Sequence, residues 1–238
     1  MENFGSLILP LLLSALVGYL LGSISFAILL TKAFAHEDVR AHGSGNAGAT
    51  NVLRVAGKKA SALTFLLDFC KCVASVLVGY FLVKHACVAN GVDPEMARLG
   101  MYAAGFCCMI GHMYPLYFGF RGGKGVATAL GTMLPIGFAM GGAVITTWLL
   151  VLLVSGYSSL ASIVTVLLTP LFTYLLKPEY TLPVSLLSCL ILIRHHENIT
   201  RLLKGEESRL WGRRGAVPPA EVMKMDDAAQ KRDERDEK

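Results

Sequence analysis

Charge is what this sequence has least of. Only 16% of its 238 residues are Asp, Glu, Lys or Arg, against roughly 25% in an ordinary soluble domain, and that shortfall excludes a typical water-soluble globule. Carboxylates are scarcer still where the chain is apolar: Asp68 stands nearly alone there, so no acidic cluster is available to bind a divalent metal, and no metal or organic cofactor is expected. The six cysteines, Cys70, Cys72, Cys87, Cys107, Cys108 and Cys189, have neither zinc-site spacing nor the density of a disulfide scaffold. They read as small core residues. No basic segment precedes the first apolar run and no small-residue cleavage site follows it, which argues against a removable signal peptide. Solenoid-length repeats are also missing, and nothing points to a nucleic-acid partner.

What is present is apolar residue, 54% of the chain, gathered in runs that approach or exceed the ~20 residues needed to cross a hydrocarbon core as helix. The expected fold is all-α, a polytopic membrane helical bundle. Its spans are read as Gly5 to Ala35, Ala62 to Val83 and Ala97 to Phe118, then three from the 52 uncharged residues Gly125 to Leu176, and a last from Leu182 to the Arg194-His195-His196 boundary. Pro135, Gly141-Gly142 and Ser155 to Ser159 are the expected breaks in the long run. That makes about seven crossings, with five as the alternative. Lys and Arg accumulate on the cytoplasmic side of short loops. Seven spans with the C-terminus inside place 18 of them inside and 3 outside, so the N-terminus is expected in the periplasm. Residues 1–214 read as one membrane domain and 215–238 as a charged, solvated cytoplasmic tail.

Three polar blocks then fall on the cytoplasmic face. The first runs from His42 to Arg54 and contains Gly43, Gly45 and Gly48 at G-x-G-x-x-G spacing. A dinucleotide fold is rejected, because the motif follows a membrane-length helix where a buried strand would be required. A glycine loop with Ser44, Asn46, Thr50, Asn51 and Arg54 still suits an anion. The second block is Arg121-Gly122-Gly123-Lys124-Gly125-Val126-Ala127-Thr128. It is not a Walker A loop, since Phe118 and Gly125 occupy the positions of its first Gly and its Ser or Thr. Glycines leading into a helix N-terminus nevertheless leave N–H donors at the positive end of the dipole, and Lys124 adds a charge, a combination suited to phosphate.

The third block extends from Arg194 to Glu207. On a regular helix Asn198 lies about 60° from His195 but about 160° from His196, so His195 and Asn198 share a face that Arg201 partly extends. Asp68 and Lys71, one turn apart, read as a local ion pair. His112, Ser23 and Ser25 are weaker candidates.

Together and in this order, the three blocks resemble the bacterial acyl-phosphate:glycerol-3-phosphate acyltransferase (PlsY) family. The resemblance runs from about Gly22 to Trp211 and includes Gly22-Ser23-Ile24, Gly111-His112 and Gly156-Tyr157-Ser158-Ser159. It implies an inner-membrane enzyme that moves a fatty acyl group from acyl phosphate to the sn-1 hydroxyl of glycerol 3-phosphate. It also implies that Ser44 and Arg54 belong to the first family motif, Gly122 to Gly125 to a phosphate loop, and His195, Asn198 and Glu207 to the third. No His is followed by Asp five residues later, so the signature of the thioester-dependent acyltransferases is absent.

The residue chemistry fits that reaction independently. Two phosphate substrates need cationic neutralisation, which Arg54 and Lys124 supply, while Gly43, Gly45, Gly122, Gly123, Gly125 and Thr128 shape the loops. Acyl phosphate is activated enough for direct transfer, with His195 or a substrate phosphate oxygen taking the proton. Ser44 is expected to bind rather than to be acylated, and the chain to act as a monomer in the bilayer. An anionic-metabolite transporter is the alternative, but the inverted repeat it should carry is not found. A CDP-alcohol phosphotransferase lacks its carboxylates, and a purely structural membrane protein has no use for so many glycines beside basic residues.

Overall fold

The computed structural model describes residues 4–211, which form helices and loops without a strand. The boundary at 214 and the tail at 215–238 lie outside the described residues. The first apolar run is two helices, α1 (Ile8–Gly22) and α2 (Phe26–Ala35), where one was expected. The break at residues 23–25 has a buried reason. Ser25 is extended, and the carbonyl of Ile24 accepts a hydrogen bond from Lys71 Nζ at 2.7 Å, giving a buried ammonium an acceptor it would otherwise lack.

A short α3 (Ala49–Val55) leads into α4 (Gly57–Asn90), followed by α5 (Arg98–Met113). The uncharged run does divide into three, α6 (Val126–Ile136), α7 (Phe138–Ser155) and α8 (Ser158–Leu176). Its first break comes at Gly137, just after the expected Pro135, and Gly141-Gly142, also expected as a break, is not one. Pro135 ends α6 and Gly137 is extended (φ 173°, ψ 136°). Gly141 instead lies inside α7, where a Cβ would come within 2.8 Å of Leu134 Cα. The chain finishes with α9 (Thr181–Arg194) and α10 (His196–Leu203).

Helix packing relies on small residues, as expected where apolar surface gains little by leaving lipid. Gly18 and Gly22, one turn apart on α1, press on α5 so closely that Cβ atoms there would fall 2.3 Å from the Ala104 carbonyl and 2.0 Å from that of Cys108. The outward surface is apolar: Leu12, Phe81, Leu153, Leu171 and Leu186 are all more than half exposed. In water such a surface would associate; in a bilayer it is the solvent-facing surface.

Contacts define two ends. At one, Tyr102 Oη donates to the Glu179 carbonyl at 2.9 Å, Lys177 lies against Gly137, and Leu7 clusters with Val83 and Cys87. At the other, Thr50 donates to Ser158 (3.1 Å), Arg54 to Ser208, and Lys124 to Asn198. Arg40, Lys58, Lys59, Arg121 and Arg201 belong to this second end, whereas Lys84, Arg98 and Lys177 mark the first. Four segments, Gly5–Ala35, Gly57–Asn90, Phe138–Ser155 and Ser158–Leu176, have the length and hydropathy to cross a membrane. At 11 residues α6 reaches only about 17 Å, about half a hydrocarbon core.

Candidate active site

The first block folds around Asn51. Gly43 and Gly45 take left-handed conformations (φ 57° and 67°), turning the chain back so that Ser44 N–H donates to Asn51 Oδ1 at 3.1 Å. Asn51 Nδ2 donates to the carbonyls of Val39 (2.8 Å) and His42 (2.9 Å). Both ends of this buried amide are spent on the loop. Asn51 was expected to contact an anion, and it instead shapes the turn that displays Ser44. The Ser44 side chain is exposed and has no hydrogen-bond partner among the described residues, while neighbouring His42 is engaged by Glu37 at 2.8 Å. Asn46 packs against Gly48, and Thr50 is committed to Ser158.

The second block departs from expectation in its donors. Gly122 and Gly123 donate their N–H groups to the carbonyls of Met113 (3.2 Å) and His112 (3.1 Å), ending α5 rather than awaiting a ligand. The donors at this site come one step later. The first bond of α6 runs from Ala129 N–H to the Gly125 carbonyl at 2.8 Å, which leaves Val126, Ala127 and Thr128 N–H at the helix N-terminus without intrahelical partners. Gly125 has φ 89°, a left-handed value that favours glycine, and Thr128 caps inward by donating to its carbonyl at 2.9 Å.

The third block meets the second directly. Lys124 Nζ donates to Asn198 Oδ1, Asn198 Nδ2 donates to Glu207 Oε1 (2.7 Å), and Arg201 Nε donates to Glu207 Oε2 (2.7 Å). His195 and Asn198 are buried and His196 is exposed, as the helical-face argument expects. Arg54 reaches the same segment through Ser208. Burial opposes ionisation of Glu207, but the nearby Ser159 hydroxyl and the bonds from Asn198 and Arg201 outweigh it, holding its carboxyl below the usual range.

Arg194 was read only as a boundary charge. It donates to the carbonyls of Gly123 (3.2 Å) and Gly122 (3.4 Å), stacks its guanidinium over Tyr114 at 5.4 Å, and keeps a buried Nε without a partner among the described residues. A carbonyl-rich turn needs such a donor, but sequence alone does not show which arginine supplies it. Beside the polar chain an apolar slot begins at Val126 and continues past Ala129, Met133, Trp148 and Val166 to Leu187 and Ile191. Its volume is about 20 Å³, room for about one water, so helices must part for anything larger to enter. Among the described residues no cluster of His, Cys, Asp or Glu could hold a metal.

Burial, reinforced by Arg201 and Arg194, lowers the Lys124 pKa to about 8 against the pull of Glu197 and Glu207. Burial likewise drops His195 to about 4, so the ring is neutral at pH 7. Its Nδ1 then donates to the Ile191 carbonyl (2.7 Å) and Nε2 is left as an acceptor. On the expectation that Lys124 holds a phosphate as a cation, kcat/KM should fall above pH 8 as the free protein loses that proton. Lys124→Arg should remove this limb from whatever activity it retains, because guanidinium stays charged. A limb that persists in that variant would assign it to another group.

The family model for glycerol-3-phosphate acyltransferase matches residues 12–205. The glycerol-3-phosphate acyltransferase of Aeromonas salmonicida is 61% identical over 227 residues, spanning 95% of this chain and 98% of that protein. That of Tolumonas auensis is 53% identical over 197 residues, 83% and 91% of the two chains. Crystal structures of PlsY, an integral membrane glycerol 3-phosphate acyltransferase, resemble the fold closely. The glycerol 3-phosphate form has 38% identity and a TM-score of 0.73 over 84% of this chain and 96% of that one. The lysophosphatidic acid form has 36% identity and a TM-score of 0.70 over 84% and 95%. Three motifs, an apolar helical bundle and a matched span that takes in all three together establish that this multi-pass integral membrane protein belongs to the glycerol-3-phosphate acyltransferase family.

Proposed function

We propose that the protein transfers a fatty acyl group from acyl phosphate to the sn-1 hydroxyl of glycerol 3-phosphate, giving lysophosphatidic acid and phosphate. The observation that carries this reading is the convergence of Lys124, Asn198, Glu207 and Arg201 near an apolar slot lined by Val126. An anion site thus adjoins a path that an acyl chain would fill by parting the helices. The related PlsY structures, in glycerol 3-phosphate and lysophosphatidic acid forms, represent an acceptor and a product of this reaction.

The glycerol hydroxyl oxygen attacks the acyl carbonyl carbon, the carbon–oxygen bond to phosphate breaks, and inorganic phosphate leaves. Lys124, Arg54, the α6 N-terminus and the unpartnered Nε of Arg194 stabilise the anionic groups as charge moves onto the leaving oxygen. The hydroxyl proton goes to a substrate phosphate oxygen. A phosphate monoester has its second pKa near about 6 and is a stronger base than His195 at about 4, so Nε2 serves as a hydrogen-bond acceptor that orients the hydroxyl. Ser44, whose hydroxyl donates to no base among the described residues, binds rather than becomes acylated.

Purified protein given palmitoyl phosphate and glycerol 3-phosphate should release phosphate and lysophosphatidic acid in equal amounts, undiminished by chelator, with no acyl adduct on the Ser44 peptide. No transfer, together with glycerol 3-phosphate counterflow in proteoliposomes, would replace this reading with transport.

The proposed setting is the bacterial inner membrane, crossed seven times by a monomer, with the N-terminus periplasmic and the site cytoplasmic. Support comes from the basic residues gathered at the site end. A membrane-impermeant maleimide should label Lys59→Cys and Glu206→Cys only from the cytoplasm, and Asn90→Cys and Glu179→Cys only from outside; these positions are exposed at opposite ends. Any one reacting from the wrong side overturns the topology.

A further inference from the structure

Beneath the phosphate loop lies a buried polar cluster that the transfer chemistry does not use. Lys71 Nζ lies 2.7 Å from Asp68 Oδ1, 2.7 Å from the Ile24 carbonyl and 3.2 Å from His112 Nδ1. All three side chains are at most 6% exposed. Burying this much charge is expensive, and an apolar cluster of similar volume is often at least as stable. Stability alone does not account for it.

Its placement suggests what it does. Lys71 donates to the Ile24 carbonyl and stands against Asp68 Oδ1 and His112 Nδ1, which is also 3.5 Å from Asp68 Oδ1, so the cluster holds His112 by its Nδ1 edge and leaves the Nε2 edge to face elsewhere. That edge of the ring lies directly under the phosphate loop: a Cβ added to Gly123 would fall 2.2 Å from His112 Nε2 and 2.7 Å from the Ala47 carbonyl. The backbone of the same residue holds the loop as well, since the His112 carbonyl accepts Gly123 N–H at 3.1 Å. Arg194 holds the same turn through the Gly122 and Gly123 carbonyls. The turn that precedes Lys124 is therefore held by both Arg194 and His112, and His112 is itself fixed by α4 and by the break between α1 and α2.

The geometry points to Asp68, Lys71 and His112 as positioning residues, a buried brace that sets the height of the phosphate loop and so the place of Lys124 against Asn198 and the substrates. It rests on the acyl-transfer reading for its kinetic consequence but not for its structural one. None of the three needs to touch substrate. Misplacing a binding group by about 1 Å can cost about 10²-fold in rate, so a brace remote from the reacting atoms has large leverage.

Two variants test it, His112→Asn and the neutral pair Asp68→Asn with Lys71→Met, which removes both charges and leaves neither unpaired. Three quantities are measured in detergent: the thermal midpoint, kcat and KM with palmitoyl phosphate and glycerol 3-phosphate, and the pH dependence of Lys124 acetylation by acetic anhydride, read by mass spectrometry. The last is independent of activity. The brace predicts a fall in kcat/KM of about 10²-fold in protein that still melts cooperatively. It also predicts that the Lys124 titration moves up from about 8, as a loosened loop lets water reach the ammonium beside Arg201, Arg194, Glu197 and Glu207. Wild-type kcat/KM in both variants would overturn the proposal. So would activity lost only in proportion to unfolding, with Lys124 titrating as in the wild type. An inactive wild-type protein would instead fail the functional reading, while the Lys124 titration still judged the brace.

Discussion

Lys124→Met should lower kcat/KM by on the order of 10²–10³-fold while leaving the protein folded. Truncating one partner of a buried, hydrogen-bonded charge pair costs about 2–5 kcal/mol, and each 1.4 kcal/mol is about tenfold in rate. The loss should appear in KM for both phosphate substrates and in kcat, because the leaving phosphate carries more charge in the transition state than in the ground state. Stability should move the other way. Burial, the largest influence, holds the folded-state pKa at about 8, below the unattached value of 10.5. The protonated form is thus penalised by folding at pH below 8, and the penalty fades as pH rises from 8 toward 10.5. A methionine keeps the stem and removes the charge, so Lys124→Met should melt no lower than wild type at pH 7. Activity within threefold of wild type would reduce Lys124 to a charge that fixes topology.

This opposition between stability and activity also explains which parts of the site were legible in the sequence. Residues whose chemistry is unusual for their setting announce themselves. A lysine flanked by glycines at the start of an uncharged run, or a His and an Asn one turn apart at a helix end, has few bland explanations, and the structure links Lys124 to Asn198 by a hydrogen bond and buries His195. Donors consumed by tertiary contacts leave no such mark. Gly122 and Gly123 look like a phosphate cradle, yet their N–H groups close the end of α5, and Asn51 looks like a ligand while it builds a turn. Arg194 contributes through two carbonyls about 70 residues away in sequence, a relation that no local spacing encodes.

The bundle itself shows the same division. Hydropathy marks the apolar runs and turn residues mark most of their ends, because both are local properties. The break at residues 23–25 was hidden inside one apolar stretch, since its cause is an ammonium arriving from α4. Pro135 marked the first break in the long run, while Gly141-Gly142, expected to be another, is not one. A glycine pair within a membrane helix as often allows close packing as it ends the helix, and Gly141 packs against Leu134.

Asn198→Ala should be nearly as damaging as loss of Lys124, on the order of 10²-fold in kcat/KM, whereas His196→Ala should change it less than about twofold. The two positions lie two residues apart on α10 and differ in what they touch. Asn198 uses both ends of its amide, accepting from Lys124 and donating to Glu207 at 2.7 Å. Without that spacer Lys124 is free to collapse onto the Glu207 carboxylate, which would neutralise the cation the phosphate needs. Asn198→Asp should not rescue, because a second carboxylate beside Glu207 binds Lys124 more tightly still and repels the anionic substrates. His196 is exposed, and among the described residues its ring meets only the end of α9, Nδ1 lying 2.9 Å from the Ile193 carbonyl. His195→Ala should resemble Asn198→Ala, since its buried ring fills the space between Ile191 and the Lys124 site. Steady-state kinetics on the four variants, with thermal midpoints to confirm folding, separates the faces. If His196→Ala proves more damaging than His195→Ala, the third motif presents its opposite face to the substrates and the Lys124–Asn198–Glu207 chain is not the phosphate site.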